Sequence, residues 1–367
     1  MALDFMKKPI AAAIRTEKDF STALRSDVDM IFLLHSNIMT VHQYVKEIHS
    51  AGKKAFVHVD FAEGIGKDRY GLEFLAKQGV DGILTTRTNI VKAAPVKWDR
   101  ELVYNAPFVQ AVVINAGIAN ACTGDEGYQN AVDTAKMVGD ALNVNPNQVL
   151  VASTGVIGFT LPMNAIENGI NLLKDMITDT RDAAIDAATA IMTTDTHKKE
   201  YAVEFEIGGT KATMGAMCKG SGMIHPNMGT MLGFITTDVD IESNLLSKAL
   251  KEVIEDTFNM VSVDGDTSTN DTVVVLANGM AGNAKITSED EDYNTFKQVL
   301  KEVNTYLAKQ IAADGEGATR LFQVDVKGAP DKETAKILAK SIVTSNLTKC
   351  AVYGKDANWG RILCAMG

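Results

Sequence analysis

Residues 201–218 read YAVEFEIGGTKATMGAMC. Apolar side chains alternate with polar or small ones on both sides of Gly208-Gly209, the signature of two strands joined by a two-residue turn. A hairpin makes its strands antiparallel neighbours, so the sheet holding them is not purely parallel, and a layered α+β sandwich is expected. Outward from it, further strand-like runs (FVQAVVIN, QVLVAST, MLGFITTD, DTVVVLAN, LFQVDVKG) alternate with long helical patterns. Among the latter are QNAVDTAKMVGDALN, PMNAIENGINLLKDMI, ESNLLSKALKEVIEDTF, YNTFKQVLKEVNTYLAKQIAAD and KETAKILAKSIVTS.

The beginning of the chain is patterned differently. PIAAAI, DMIFLLH, KKAFVHVD and VDGILTT are short apolar runs separated by the amphipathic stretches EKDFSTALRSD, TVHQYVKEIHSAG and DRYGLEFLAKQG. Strands alternating with helices specify βαβ units on a parallel sheet, and four such units make half of a (β/α)8 barrel. Charge changes at the same place. Residues 1–95 hold 13 Lys/Arg and 11 Asp/Glu, and the remainder 23 and 35, which points to two origins.

With 46% hydrophobic and 22% charged residues, 367 residues suffice for two domains and a substantial core. No run approaches the ~20 apolar residues of a membrane span and no secretory leader pattern is present, so the expectation is a cytoplasmic protein. The net charge of −10 argues against extensive nucleic-acid contact. Cys122, Cys218, Cys350 and Cys364 form no CxxC pair, so buried reduced thiols are expected rather than a metal site or disulfide framework.

Directly after the hairpin, residues 219–230 read KGSGMIHPNMGT. Gly229 leaves its carbonyl unobstructed in front of the Thr230 hydroxyl, an arrangement suited to backbone self-cleavage that would make Thr230 a new N-terminus. An N-terminal threonine carries both halves of a nucleophilic pair, because its free amine can take the proton from its own hydroxyl. The competing reading is a loop threonine that caps the run MLGFI.

Ordered motifs favour the chemical reading. KAAPV (92–96), NAGIANACTG (115–124), STGVIG (153–158), MTTD (192–195), KGSGMIHPNMGTML (219–232), GDTSTNDT (265–272), DGEGATR (314–320) and GKDANWGRI (354–362) together resemble the bifunctional ornithine acetyltransferase/glutamate N-acetyltransferase family of arginine biosynthesis. The resemblance runs from about Thr85 to Gly367. It implies an α+β sandwich of the ornithine acetyltransferase/N-terminal-nucleophile aminopeptidase type, and acetyl transfer from N-acetylornithine to glutamate, with acetyl-CoA as a further donor in bifunctional members. It implies cleavage between Gly229 and Thr230, catalysis by Thr230, and an oxyanion-stabilising pair at Thr154 and Gly155. Thr193, Lys219, Thr230 and Glu316 match substrate-binding positions. No metal or bound cofactor is implied, and the expected assembly is α2β2.

PIAAAI, IFLLH, HVDFAEGIGKD and DGILTTRTNIVKAA resemble the opening of the glycerol-3-phosphate-responsive antiterminator family, which binds messenger-RNA leaders, over about half of its length. The expected organisation is therefore a βα half-barrel over residues 1–90 and an acetyltransferase-like body over 91–367, with an α part 91–229 and a β part 230–367. The reading expects a chimera joined at about Thr85 to Pro95, lacking the second family's opening and terminal segments. The alternatives are a self-processing aminopeptidase-like enzyme, an RNA-binding antiterminator fragment, and an inactive chimera.

Overall fold

The computed structural model describes residues 11–65, 69–84, 92–225 and 231–367. The chain divides into two compact units, Met1–Lys92 and Ala93–Gly367.

In the first unit, β1 (Ala11–Ile14), α1 (Glu17–Arg25), β2 (Met30–Leu33), β3 (Ser36–Asn37), α2 (Val41–Ser50), β4 (Lys54–His58), β5 (Ala62–Glu63), α3 (Arg69–Lys77) and β6 (Gly82–Leu84) follow one another. The main sheet has the order β1-β2-β4-β6, every pair parallel, as in adjoining strands of a barrel, and β3 pairs with β5. Thr16 starts α1 by accepting a hydrogen bond from the Asp19 N–H at 3.2 Å. Ile31, Leu33, Ala55 and Val57 from the strands pack with Phe20, Val41, Val45, Ile48 and Leu75 from the helices.

The second unit runs α4 (Ala94–Asn105), β7 (Ala111–Ile118), α5 (Gly124–Leu142), β8 (Val149–Val156), α6 (Met163–Leu173), α7 (Arg181–Ala190), β9 (Lys199–Ile207), β10 (Thr210–Lys219) and β11 (Leu232–Thr237). It continues with α8 (Ser243–Asp256), β12 (Thr272–Ala277), α9 (Glu291–Ala313), α10 (Lys332–Thr344), α11 (Asn346–Tyr353) and α12 (Trp359–Met366). The hairpin forms as read: Ile207 pairs with Thr210, and Gly208 and Gly209 have φ of 54° and 76°, values that glycine adopts without strain. The sheet order is β12-β11-β10-β9, with β11 parallel to β12 and the other pairs antiparallel.

The pleat then decides the layers. Ala212, Met214 and Cys218 of β10 face α8 and α9, where they join Ala249, Val253, Phe296 and Leu300. Met217, Phe234 and Val274 face the other way, onto Val112, Ile114 and Ala152 of the parallel pair β7–β8. Behind that pair lie α4 and α5, through Trp98, Leu102, Ala131 and Ala135. Helices, sheet, strand pair and helices stack as an α+β sandwich.

Two expectations are corrected. The run LFQVDVKG (321–328) makes no ladder. Its burial still alternates, with Phe322, Val324 and Val326 half-buried, but no strand pairs with it among the described residues, and a period-two surface without a partner is not a strand. The cysteines are all free, but only Cys218 is buried; Cys122, Cys350 and Cys364 are exposed, the last two on the short helices α11 and α12. No helix among the described residues is long and apolar enough to cross a membrane.

Candidate active site

The site forms at the end of β10. Side chains two apart on a strand share a face, so Lys219 points the same way as Met217, toward β8, and Thr154 lies on the same face of β8 as Ala152. The two side chains meet: the Lys219 ammonium donates to the Thr154 hydroxyl oxygen at 3.3 Å and to Thr193 Oγ1 at 2.6 Å. Thr193 comes from the turn after α7. Thr154 and Thr193, distant in sequence and each implicated by its own motif, thus converge on the Lys219 ammonium. Lys219 is only 2% exposed and Thr154 1%. Because Thr154 accepts from the lysine, its own hydroxyl hydrogen is left for donation to a third group.

Gly155, next along β8, has φ +129° and lies opposite Gly117 of β7. A Cβ there would fall inside the Gly117 carbonyl group, so the close strand approach requires glycine. Glu316 follows α9 in an exposed loop. Its N–H donates to the Ser221 carbonyl at 3.0 Å, and its carboxylate lies where a Cβ on Gly222 would stand, so a side chain there would have to displace it. Glu316 makes no contact with Lys219, but its negative charge reaches the ammonium. Gly229 and Thr230, and Asn227 beside them, lie outside the described residues.

Beneath the ammonium is a set of charges that sequence reasoning gave no role. Lys199, fully enclosed, donates to Asp195 Oδ1 at 2.7 Å and to Asp314 Oδ2 at 2.6 Å. Asp195 also accepts from the Gly220 N–H at 2.7 Å and the Thr193 N–H at 3.2 Å, and its Oδ2 stands 3.6 Å from Lys219 Nζ. Two lysines and two aspartates make the cluster formally neutral, which is what permits its burial. Burial pushes the Lys219 amine below the usual lysine range, with Asp195 pulling against the shift. Burial also works to raise Asp195 and Asp314, but their lysine and N–H partners outweigh it and hold both below the usual carboxylate range.

Asp271 is a further residue that sequence reasoning missed. Its Oδ1 accepts from the Met231 N–H at 3.2 Å, and burial drives its carboxyl well above the usual range. Asp195, Asp271 and Asp314 each lie within a quoted motif, so motif membership was the available signal.

A family model for the ArgJ family matches residues 58–367, and one for the glycerol-3-phosphate responsive antiterminator matches residues 10–97, so the two overlap across the region read as the junction. Among curated relatives, the arginine biosynthesis bifunctional protein ArgJ 1 of Clostridium acetobutylicum is 52% identical over 283 residues, which is 77% of this chain and 69% of that protein. Among solved structures, ArgJ from Bacillus halodurans is 40% identical with a TM-score of 0.35, covering 37% of this chain and 71% of that one. The ornithine acetyltransferase from Mycobacterium tuberculosis, solved with ornithine, is 34% identical with a TM-score of 0.33, covering 37% of this chain and 72% of that one.

Proposed function

This chain belongs to the ArgJ family, and from that premise we propose that it is an acetyltransferase of arginine biosynthesis that moves acetyl from N-acetylornithine to glutamate through an acetyl-threonine. The observation that carries the proposal is the meeting of Thr154 and Thr193 on the buried ammonium of Lys219.

In this reading Thr230 Oγ first attacks the Gly229 carbonyl carbon. The acyl group shifts from nitrogen to oxygen, and water opens the ester, giving a carboxylate at Gly229 and a free amine at Thr230. The same hydroxyl then attacks the acetyl carbonyl of the donor while the Thr230 amine takes its proton and passes it to the departing ornithine nitrogen. The glutamate amine attacks the resulting ester and restores the hydroxyl, which predicts ping-pong kinetics. Each addition forms an oxyanion, for which the Thr154 hydroxyl and the Gly155 N–H are the donors; one such donor is worth ~3 kcal/mol. Lys219 and Thr193 grip the substrate, and Glu316 pairs with the ornithine amine. Acetyl-CoA serves as a second donor, the chemistry needs no metal, and the cleaved fragments assemble as α2β2.

Intact masses of the parent and of Thr230→Ala test this. Fragments 1–229 and 230–367 in the parent alone, followed by acetyl transfer from N-acetylornithine, are expected. A folded parent that stays whole would refute the proposal, and release of amino acids from peptide amides in place of acetyl transfer would turn it toward an aminopeptidase.

A further inference from the structure

We propose that Asp195 is the positioning residue for Lys219: it fixes where the ammonium sits and keeps it charged at the site. The inference rests on the reading of Lys219 as substrate-binding, but its geometry stands independently.

Asp195 lies in the turn between α7 and β9, where it reaches both faces of the sheet edge. Lys199 of β9 pairs across the sheet with Cys218, whose side chain faces α8 and α9, whereas Lys219 faces β8. The two lysines therefore stand on opposite faces, and Asp195 presents one oxygen to each, at 2.7 Å and 3.6 Å. By accepting the Gly220 and Thr193 N–H groups, the same carboxylate anchors the residue after Lys219 and the backbone of the residue whose hydroxyl receives the lysine. Lys219 and its acceptor Thr193 are thereby held by one side chain with no exposed surface, which also supplies the countercharge. Asp314, by contrast, holds Lys199 and Thr196 and bonds neither Lys219 nor Thr193.

Among the described residues, few groups face or electrically reach the ammonium. Asp195 attracts it from the α7–β9 turn, Lys199 repels it from β9, Glu316 attracts it from the loop after α9, and the uncharged Thr154 and Thr193 accept from it. Among the described residues, removing Asp195 leaves burial and Lys199 opposed by the exposed Glu316 alone, so Lys219 must release its proton at lower pH.

The test is a titration of 13C-labelled lysine side chains by NMR in the full chain, with the Lys219 signal assigned by its loss in Lys219→Arg. Asp195→Asn is expected to lower the Lys219 pKa by at least one unit and to move the alkaline limb of the acetyl-transfer pH profile by a similar amount. Asp195→Glu is expected to keep the pKa within half a unit, and Asp314→Asn to shift it by less than half as much as Asp195→Asn. If Asp195→Asn does not fold, the comparison of Asp195→Glu with Asp314→Asn carries the test alone: a larger shift in the former refutes the proposal. An unchanged pKa in folded Asp195→Asn also refutes it. A shifted pKa in a chain without acetyl transfer upholds the coupling and removes the functional reading.

Discussion

Lys199 Nζ and Asp195 Oδ1 meet at 2.7 Å with neither side chain exposed, and the same ammonium donates to Asp314 at 2.6 Å. An ion pair of this kind contributes little beyond an apolar equivalent, but breaking it leaves an uncompensated buried charge. Lys199→Met would leave two aspartates against Lys219 alone and is expected to lower stability by about 3–5 kcal/mol in urea unfolding. Adding Asp314→Asn restores neutrality, so the double variant should be more stable than Lys199→Met. Strict additivity of the two losses would show that the charges do not act as a unit.

Two glycines predict opposite outcomes. Gly155→Ala puts a methyl group into the Gly117 backbone and forces a side-chain residue to φ +129°, so a loss of at least ~3 kcal/mol is expected, with loss of acetyl transfer. Gly169 lies inside α6 with open space around it, and Gly169→Ala should stabilise by about 0.5–1 kcal/mol through helix propensity. Thermal melting of both variants checks the pair. Equal effects would mean that the β7–β8 approach is not the constraint.

Asp256 at the end of α8 receives Lys301 of α9 at 3.3 Å and Lys332 and Lys336 of α10 at 2.5 and 2.8 Å. Burial opposes the charge, but the three lysines win and hold the carboxyl down to about 2. A depressed carboxyl contributes stability that is present above its unfolded value near ~4 and is lost as pH falls toward 2. Asp256→Asn should therefore speed amide hydrogen exchange in 332–344 at pH 7 and change it little at pH 2. Unaltered protection at pH 7 would show that α10 is held by its apolar face alone.

What the sequence revealed divides along physical lines. The hairpin at Gly208-Gly209 and the βα alternation of the first unit were legible because local periodicity and turn chemistry determine them. LFQVDV misled because its period was right and its partner missing, and pairing is a property of two segments. Helix α4 went unread although Pro95 at its first turn marks such a start, and α11 and α12, at eight residues each, are too short to show a period. Lys219 is the instructive site residue. By default a lysine at a hairpin end is exposed, and what buries it is a carboxylate 24 residues upstream, which no local pattern encodes.

Asp99 supplies the clearest pH dependence. In α4 its Oδ1 accepts from the Val151 N–H of β8 at 2.8 Å, while Trp98 beside it donates to the Val149 carbonyl at 3.0 Å, so neighbouring side chains fasten one helix to the strand that carries Thr154. Burial raises the Asp99 carboxyl to about 7, against the lowering effect of the Val151 N–H. A raised carboxyl means that the folded state binds more protons than the unfolded chain between pH ~4 and ~7, so this group costs stability progressively as pH climbs through that window. At ~1.4 kcal/mol per unit the cost at pH 8 is on the order of 4 kcal/mol. Asp99→Asn keeps an acceptor for Val151 and removes the titration. It should raise the melting temperature at pH 8 and raise it far less at pH 4.5. A variant no more stable than the parent at pH 8 would show that the ionised Asp99 is accommodated without cost.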